Sequence, residues 1–376
     1  RIGAINWFGV HTTSIHNDNR SICWDNKGYA ADYLERDVQK QTNGKAFLGA
    51  FAQGIAGDVT PNHVWDRKKK WMRGPFMDDF ANARLNGRLQ YEHAAAIYDH
   101  AAKGHEVTGD LDWAHVHVNF ANVAAAPEFA NGKRDARTVP ACHGVAFMAG
   151  TLEGPGMPKL VALASRFLAF SVKMYEYATS VFQAKWKRKR LRQKYKAQGK
   201  KVILIESGER RVLGTSDIKG LVVPGCIDPT IRNFKRLHPK GWDEDKPWTP
   251  HVLPLQIILL GDIALVGLPA EITTIAGKRL RNVIEDILLP TGIHRVLIAP
   301  YSNAYCGYIT TNEEYQVQAY EGGHTVFGQW TLAAFQTKLK QLALEILKKA
   351  ASRQVLDEVQ PPEFTAEELG RRSFQS

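Results

Sequence analysis

The sequence predicts an α/β protein in which a mixed sheet is flanked by helices and a site lies at the carboxyl ends of the strands. Two observations predict this class. Short apolar runs of strand length end in polar or Gly/Pro-rich segments, and longer segments carry apolar residues at helical spacing. Ligand sites in open α/β sheets collect beyond the carboxyl ends of strands, so the polar residues found there are candidate site residues.

Four strand-like runs lead into such polar residues. The runs are residues 2–10, 46–52, 263–268 and 295–299, and they precede His11, the loop 57–62, Glu271 and the loop with Tyr305 and Tyr308. Each polar residue alone has an ordinary interpretation as a turn residue, a hydrogen-bonded histidine, a helix-start carboxylate or a packed aromatic residue. Four such strand ends together indicate a site.

Apolar residues at helical spacing in the segment 273–288 predict a helix between the third and fourth runs. A strand, helix, strand unit places its two strands parallel, with their carboxyl ends on the same edge. Glu271 and the Tyr308 loop could then meet. The segment 80–102 is predicted to be a surface helix that covers the sheet, and the segment 330–347 is predicted to be another long amphipathic helix.

Five motifs resemble the neutral ceramidases, which are zinc amidases that hydrolyse the N-acyl bond of ceramide. The matching blocks are GAINWFGVH at 3–11, DNKGYA at 25–30, GDVTPN at 57–62, LPAEITT at 268–274 and YITTNEEYQ at 308–316. They follow the family's order and cover most of the chain apart from its middle. The resemblance implies that the substrate is ceramide or a related N-acylated lipid and that the cofactor is Zn²⁺.

By this resemblance His11, Glu271 and Tyr308 are zinc ligands, and Tyr320 lies near the oxygen of the scissile amide. The residue types suit that role, because catalytic zinc takes nitrogen and oxygen ligands and keeps a position for water. Water activated by the metal can attack an amide carbonyl.

Thr60 stands where the family has its active-site serine, which is a departure from the pattern. A threonine can contact a substrate or act as a nucleophile, but its extra methyl group restricts its rotamers and crowds the approach to the carbonyl. Asp58 and Asn62, which flank Thr60, are predicted substrate contacts.

A second departure concerns the metal site. The family has another zinc histidine in an upstream His-x-His-Ser-Gly-Pro type motif, whereas this sequence starts at Arg1 without that segment. We expect a fragment, or one chain of a cleaved protein whose upstream chain supplies the missing histidine. His115 and His117 have the spacing of strand residues that share a face, but their context does not resemble the motif.

A basic insert at about 158–202 separates the chain from its apparent relatives. Residues 160–182 are rich in Leu, Val, Phe and Tyr, and ten of the seventeen residues from 185 to 201 are Lys or Arg. This pattern predicts an interfacial helix with a basic extension that contacts an anionic membrane. The predicted membrane contacts are Trp186, Lys187, Arg188, Lys189 and Arg190. The alternatives are a solvated basic helix, a contact with a partner chain, and a nucleic-acid contact in which the Lys and Arg residues bind phosphate. Of these partners, nucleic acid is not the expected one.

The 376 residues, 44% of them apolar, predict one large catalytic domain over 1–360 and a polar, extended tail over 361–376. No uncharged apolar run of some 18 residues is present, so no transmembrane helix is predicted, and the expected location is secreted or at a membrane surface. The spacing of Cys23, Cys142, Cys226 and Cys306 excludes a zinc ribbon or a redox motif. Their even number permits disulfides, but buried free thiols are the expected state.

The function predicted from these observations is zinc-dependent hydrolysis of an N-acyl bond. An amidase for a different N-acyl aminolipid or N-acyl amino acid is one alternative, because Thr60 and the basic insert both depart from the family pattern. A non-catalytic relative that binds a lipid or a partner chain is the other alternative. Zinc content distinguishes the last class from the enzymes.

Overall fold

The computed structural model describes residues 1–154, 156–216, 246–354 and 359–372. The strands are β1 (Gly3–Phe8), β2 (Leu48–Gln53), β3 (Val64–Asp66), β4 (Trp71–Arg73), β5 (Leu111–Asn119), β6 (His143–Gly144), β7 (Ile203–Glu206), β8 (Arg211–Val212), β9 (Val252–Leu260), β10 (Ile263–Gly267), β11 (Glu271–Ile272), β12 (Arg295–Ala299) and β13 (Tyr308–Ile309). The α-helices are α1 (Asp25–Gln41), α2 (Asp79–His100), α3 (Val145–Met148), α4 (Lys159–Ser180), α5 (Lys185–Gln198), α6 (Thr274–Leu288), α7 (Asn312–Val317), α8 (Tyr320–Gly323), α9 (Thr331–Ile346) and α10 (Ala366–Arg372).

The largest sheet in the described chain has the strand order β12-β10-β9-β5. It is mixed, because β10 runs parallel to β12 and antiparallel to β9, while β9 and β5 are antiparallel. The helix α6 connects β10 to β12, so the predicted parallel strand, helix, strand unit is confirmed. The α/β class with a mixed sheet and flanking helices is confirmed as well.

The main hydrophobic core lies between this sheet and the helices α6 and α9. Leu255 and Ile257 of β9 are fully buried with Leu280 of α6 and Phe335 of α9. Both helices bury one face, as their apolar spacing predicts. This packing fixes the sheet edge from which β10 and β12 lead into the site.

The strands β1 and β2 form a separate parallel pair in the described part of the chain. They pack under α1 and α2, where Leu34, Val38 and Phe47 form a small core of their own. The pair approaches the second half of the molecule through the loop after β2, in which the Gly57 amide donates to the Ile272 carbonyl at 2.8 Å. The four predicted strand ends therefore come from two sheets that meet.

The basic insert folds as two helices, α4 and α5, where one helix with a basic extension was predicted. The first helix ends at Ser180 and the second begins at Lys185, with Ala184 in an extended conformation before it. Within the described ranges, no helix is long and apolar enough to cross a bilayer.

Two smaller predictions differ in their outcome. The tail was expected to be extended, but it contains the short helix α10. Cys142 and Cys306 are buried free thiols, as predicted, whereas Cys23 is free and exposed. Cys226 lies outside the described residues.

Candidate metal centre and active site

His11 follows β1 and is held in one orientation by its neighbours. Its Nδ1 lies 2.9 Å from the Val59 carbonyl oxygen, and its own carbonyl accepts a bond of 3.0 Å from the Asn26 side chain. Since a carbonyl can only accept, Nδ1 carries the proton in that contact. The other ring nitrogen, Nε2, is left to face Glu271, whose Oε2 is 2.7 Å away.

Glu271 and Tyr308 lie side by side on two very short parallel strands. They are direct partners in the register of β11 and β13, and the Glu271 amide donates to the Gly307 carbonyl at 2.9 Å. The Tyr308 hydroxyl reaches to 3.4 Å from His11 Nε2. The structure thus brings together all three residues predicted as zinc ligands.

Two glycines allow the segments of the site to approach each other closely. A side chain at Gly57 would place its Cβ 2.7 Å from the backbone carbon of Ile272, the residue after Glu271. Gly307 has a positive φ of 87°, and a Cβ there would lie 2.5 Å from the His324 carbonyl oxygen. Any larger residue would push the loop with Thr60, or the strand with Tyr308, away from Glu271.

Two further tyrosines converge on Glu271. Tyr305 was named from the sequence as part of the candidate loop, without a specific role, whereas Tyr301 was not identified. The Tyr301 hydroxyl donates to Glu271 Oε2 at 3.2 Å, and the Tyr305 hydroxyl donates to Oε1. The rings are partly exposed, while the hydroxyl groups point at the carboxylate. The signal available in the sequence was the density of tyrosines in the loop after β12, which does not show which hydroxyls point inward.

The protonation equilibria of this cluster are strongly linked. Burial opposes the charged form of His11, but the hydrogen bond to Glu271 and its negative charge outweigh burial and raise the His11 pKa. Burial likewise acts to raise the Glu271 pKa, but the hydrogen bonds from His11, Tyr305 and Tyr308 lower it. Burial and the Glu271 charge raise the pKa of the Tyr308 hydroxyl. A proton or a cation between His11 and Glu271 is therefore favoured.

The three residues fit a zinc ion. A ligating histidine usually donates its second ring N–H to a carbonyl or carboxylate, as His11 does to Val59, and ligating carboxylates are usually hydrogen-bonded in turn, as Glu271 is. No group of three or more His, Cys, Asp or Glu side chains placed to hold a metal occurs in the ranges that the structure describes. The Tyr308 hydroxyl, 3.4 Å from His11 Nε2, would be the third donor of such a site.

Tyr320, predicted to lie near the scissile amide, is close to this cluster. Its ring centroid is 5.8 Å from that of Tyr308, in an edge-on arrangement. It also lies 5.0 Å from the ring of Phe147. Burial, followed by the Glu271 charge, raises the pKa of its hydroxyl, so Tyr320 remains a proton donor at neutral pH.

Two histidines beside Tyr320 were not identified from the sequence. The His324 ring stacks on Phe147 at 3.9 Å and lies 5.1 Å from the His143 ring. Burial lowers the pKa of both imidazoles, to about 3 for His143. Their Nδ1 atoms are buried without a hydrogen-bond partner among the described residues. This side of the cluster is therefore a largely aromatic wall, and the charge of the nearby Lys201 also lowers the pKa of both imidazoles.

The residues predicted around the substrate are placed as follows. Thr60 is exposed, and its Oγ1 accepts a hydrogen bond of 3.0 Å from the Asn62 amide. Together with Val10 and Val59, Thr60 lines a cavity of about 380 Å³. Asp58 accepts from the amide of Thr274 at 2.6 Å at the start of α6. Asn62 is buried and donates to Glu153 at 2.9 Å. Their roles as substrate contacts stay predictions.

His115 and His117 lie together on β5, with ring centroids 4.6 Å apart. They line a cavity of about 390 Å³ whose walls include none of the three predicted zinc ligands. The structure therefore gives no support for this pair as a replacement for the upstream histidine.

Comparison with known proteins identifies the family. The model of the neutral/alkaline non-lysosomal ceramidase N-terminal region matches residues 1–218 and 236–337. The chain is 33% identical to the neutral ceramidase of Pseudomonas aeruginosa over 348 residues, which is 92% of this chain and 44% of that relative. It is also 33% identical to neutral ceramidase B of Dictyostelium discoideum over 374 residues, or 92% of this chain and 45% of the relative.

Solved structures agree with this result. A crystal structure of the Pseudomonas aeruginosa neutral ceramidase matches with a TM-score of 0.66 and 30% identity, covering 96% of this chain and 46% of that one. A structure described as ceramidase complexed with C2 matches with a TM-score of 0.69 and 32% identity. The chain spans less than half the length of each of the two relatives named above. The chain belongs to the neutral/alkaline non-lysosomal ceramidase family.

Proposed function

We propose that this chain carries the metal site of a zinc-dependent amidase that hydrolyses the N-acyl bond of ceramide or a related N-acylated lipid. The observation that carries the proposal is the meeting of His11, Glu271 and Tyr308, with contacts of 2.7 and 3.4 Å between their polar atoms. These residues come from separate strand ends of a chain that matches ceramidases over nine-tenths of its length.

In this proposal His11, Glu271 and Tyr308 hold the zinc ion. When bound there, the ion would activate a water molecule and polarise the amide carbonyl. A further histidine from an upstream segment, as the family resemblance implies, is part of the proposal. Together with a water molecule it would make the shell five-coordinate, an expansion that catalytic zinc sites can undergo.

The other residues position the reacting groups. Tyr301 and Tyr305 donate to Glu271 and so fix the direction of its carboxylate. Tyr320 supplies a phenolic hydrogen-bond donor for the amide oxygen, and Thr60 contacts the substrate from the loop after β2. Hydrolysis adds water to the carbonyl carbon, breaks the C–N bond and releases a fatty acid and an amine, which takes up a proton.

The experiment compares release of fatty acid from N-acyl sphingosine by the zinc-loaded wild-type chain and by Glu271→Gln. Mutation of a residue that hydrogen-bonds to a metal ligand typically reduces metal affinity or activity by about 10- to 100-fold. We therefore expect the loss of a ligand charge to reduce turnover by more than about 100-fold. The matched control is Glu128→Gln, which removes an exposed carboxylate that pairs with Lys340.

Equal turnover by Glu271→Gln and the wild type would contradict the proposed metal site. The same assay should include an N-acyl amino acid, because Thr60 departs from the family's serine. A wild-type chain that binds zinc yet cleaves none of these amides, both alone and together with the upstream segment that supplies the further histidine, would instead favour the non-catalytic lipid- or partner-binding relative.

A further inference from the structure

The helix α4 turns its large apolar side chains away from the protein. Six of them recur every three to seven residues along one side of α4 and the turn after it, and we call them the outer stripe: Leu160, Leu163, Phe167, Phe170, Met174 and Val181. Their exposed fractions run from 53% for Met174 to 82% for Leu160. The opposite face, which packs on the protein, carries small residues such as Ala162, Ser165 and Ala169.

This arrangement is the reverse of an ordinary surface helix, in which the apolar stripe faces the core. Contiguous exposed apolar surface of this kind marks an interaction site in soluble proteins. The helix itself is firmly attached, because Glu176 on its inner side pairs with Lys194 at 3.0 Å and with Arg211 at 2.7 Å. The outer stripe is thus held outward by the fold.

The positive charge of α5, the helix that follows the outer stripe, indicates which kind of partner could cover this region. Within the described chain, Lys185, Lys187, Lys189 and Arg192 of α5 are exposed or partly exposed and form no ion pair. The single acid of α4 is Glu176, which is already paired. A partner that covers this region must therefore be apolar where it meets α4 and negatively charged where it meets α5.

A second copy of this chain does not meet that requirement. Two such surfaces placed face to face would bring basic helices together in a protein whose net charge is already +11. An anionic bilayer does meet it, since acyl chains accept the apolar stripe and lipid phosphates attract the Lys and Arg side chains. Trp186, 61% exposed at the start of α5, has the amphipathic ring typical of the interface between these two zones.

We propose that α4 lies in the plane of an anionic lipid surface, with the outer stripe among the acyl chains and α5 at the headgroups. The position of α4 would bring this lipid surface near the candidate site. Ala162 of α4 packs on Val145 of α3, and Phe147 of α3 lies 5.0 Å from the Tyr320 ring. The lipid surface would then be separated from the candidate site by the body of α4 and the short helix α3.

The proposal is tested by flotation of the chain with phosphatidylcholine vesicles that contain or lack phosphatidylserine, without any substrate. We expect binding to the anionic vesicles that is at least about tenfold stronger than binding to the neutral ones, since each Lys or Arg near the surface contributes. The stripe variant Leu163→Gln/Phe167→Gln/Phe170→Gln should lose at least about tenfold in binding at any salt concentration. The charge variant Lys187→Gln/Lys189→Gln/Arg192→Gln should lose binding chiefly at low salt.

The matched control is Ile97→Gln/Leu111→Gln/Val317→Gln, which replaces equally exposed apolar residues elsewhere. It should bind as the wild type does, and circular dichroism should show that every variant is folded. Glu271→Gln should also bind vesicles normally, which separates this proposal from the proposed activity. Failure of the wild type to bind anionic vesicles, or equal binding by the stripe variant, would overturn the proposal. A dimer that dissociates in the stripe variant, without lipid binding, would assign the stripe to a second copy.

Discussion

Glu271 is the residue on which the candidate site depends most. Its carboxylate contacts His11, Tyr301 and Tyr305, and its strand neighbour is Tyr308. His11, Glu271 and Tyr308 could be predicted because they belong to motifs that match the family. Tyr301 could not, because its direction depends on an irregular loop in which it has a positive φ of 59°. Residue spacing does not reveal such a backbone conformation.

Thr60 is the residue whose chemical role is most open to a direct test. A nucleophilic hydroxyl needs a base within hydrogen-bond reach, and among the described residues the bond that Thr60 Oγ1 makes comes from the Asn62 amide, which is a donor. We therefore expect Thr60→Ala to keep turnover within about tenfold of the wild type, because a lost hydrogen bond to the substrate is worth about 0.5–1.5 kcal/mol. Steady-state hydrolysis of an N-acyl lipid measures this.

Thr60→Ser serves as the companion variant, since it keeps the hydroxyl and removes the methyl group. Loss of turnover by more than about 1,000-fold in Thr60→Ala, with recovery in Thr60→Ser, would mean that the hydroxyl is the nucleophile.

At the scale of secondary-structure elements, the sequence predicts the long helices and strands but not the short ones. The helix α6 was predicted over 273–288 and runs from Thr274 to Leu288, because its apolar periodicity and its burial agree. The strands β11 and β13 have two residues each and carry two of the three predicted zinc ligands. Such short strands form because their backbone groups hydrogen-bond to segments that are distant in the sequence. The local residue pattern does not predict these hydrogen bonds.

The two helices of the insert are joined to the protein by a buried ionic cluster. Lys194 of α5 contacts Glu176 of α4 at 3.0 Å and Glu206 of β7 at 2.9 Å, while Arg211 of β8 contacts both carboxylates. Burial opposes the charge on Lys194, but the charges of Glu206 and Glu176 outweigh it and raise the Lys194 pKa. This cluster could not be predicted, because in the sequence Lys194 is one of ten basic residues in a row of seventeen.

Lys194→Met should therefore lower the free energy of unfolding by about 3 kcal/mol, since removing one partner leaves buried carboxylates with less compensation. Urea unfolding of the two proteins measures the difference. Lys189→Met is the matched control, because Lys189 is exposed, and its effect should stay within about 0.5 kcal/mol. A Lys194→Met variant as stable as the control would show that the cluster does not hold α4 and α5 in place.

At the scale of the whole molecule, the α/β class could be predicted, but the separation of the β1-β2 pair from the four-stranded sheet could not. The pairing of β1 with β2 and of β10 with β12 depends on contacts between segments that are distant in the sequence. The alternation of apolar residues within a strand does not predict which strands pair. The candidate site lies where these two parts meet, as His11 comes from one and Glu271 and Tyr308 from the other. A metal ion at that point would connect both halves of the described chain.

The most direct test of this account is a calorimetric titration of the metal-stripped chain with Zn²⁺. The account predicts about one zinc per chain for the wild type, and an affinity lower by at least about 100-fold for both His11→Ala and Glu271→Gln. Glu128→Gln should bind zinc as the wild type does. Zinc binding that is unchanged in both ligand variants, or absent from the wild type, would contradict the assignment of His11, Glu271 and Tyr308 as the metal site.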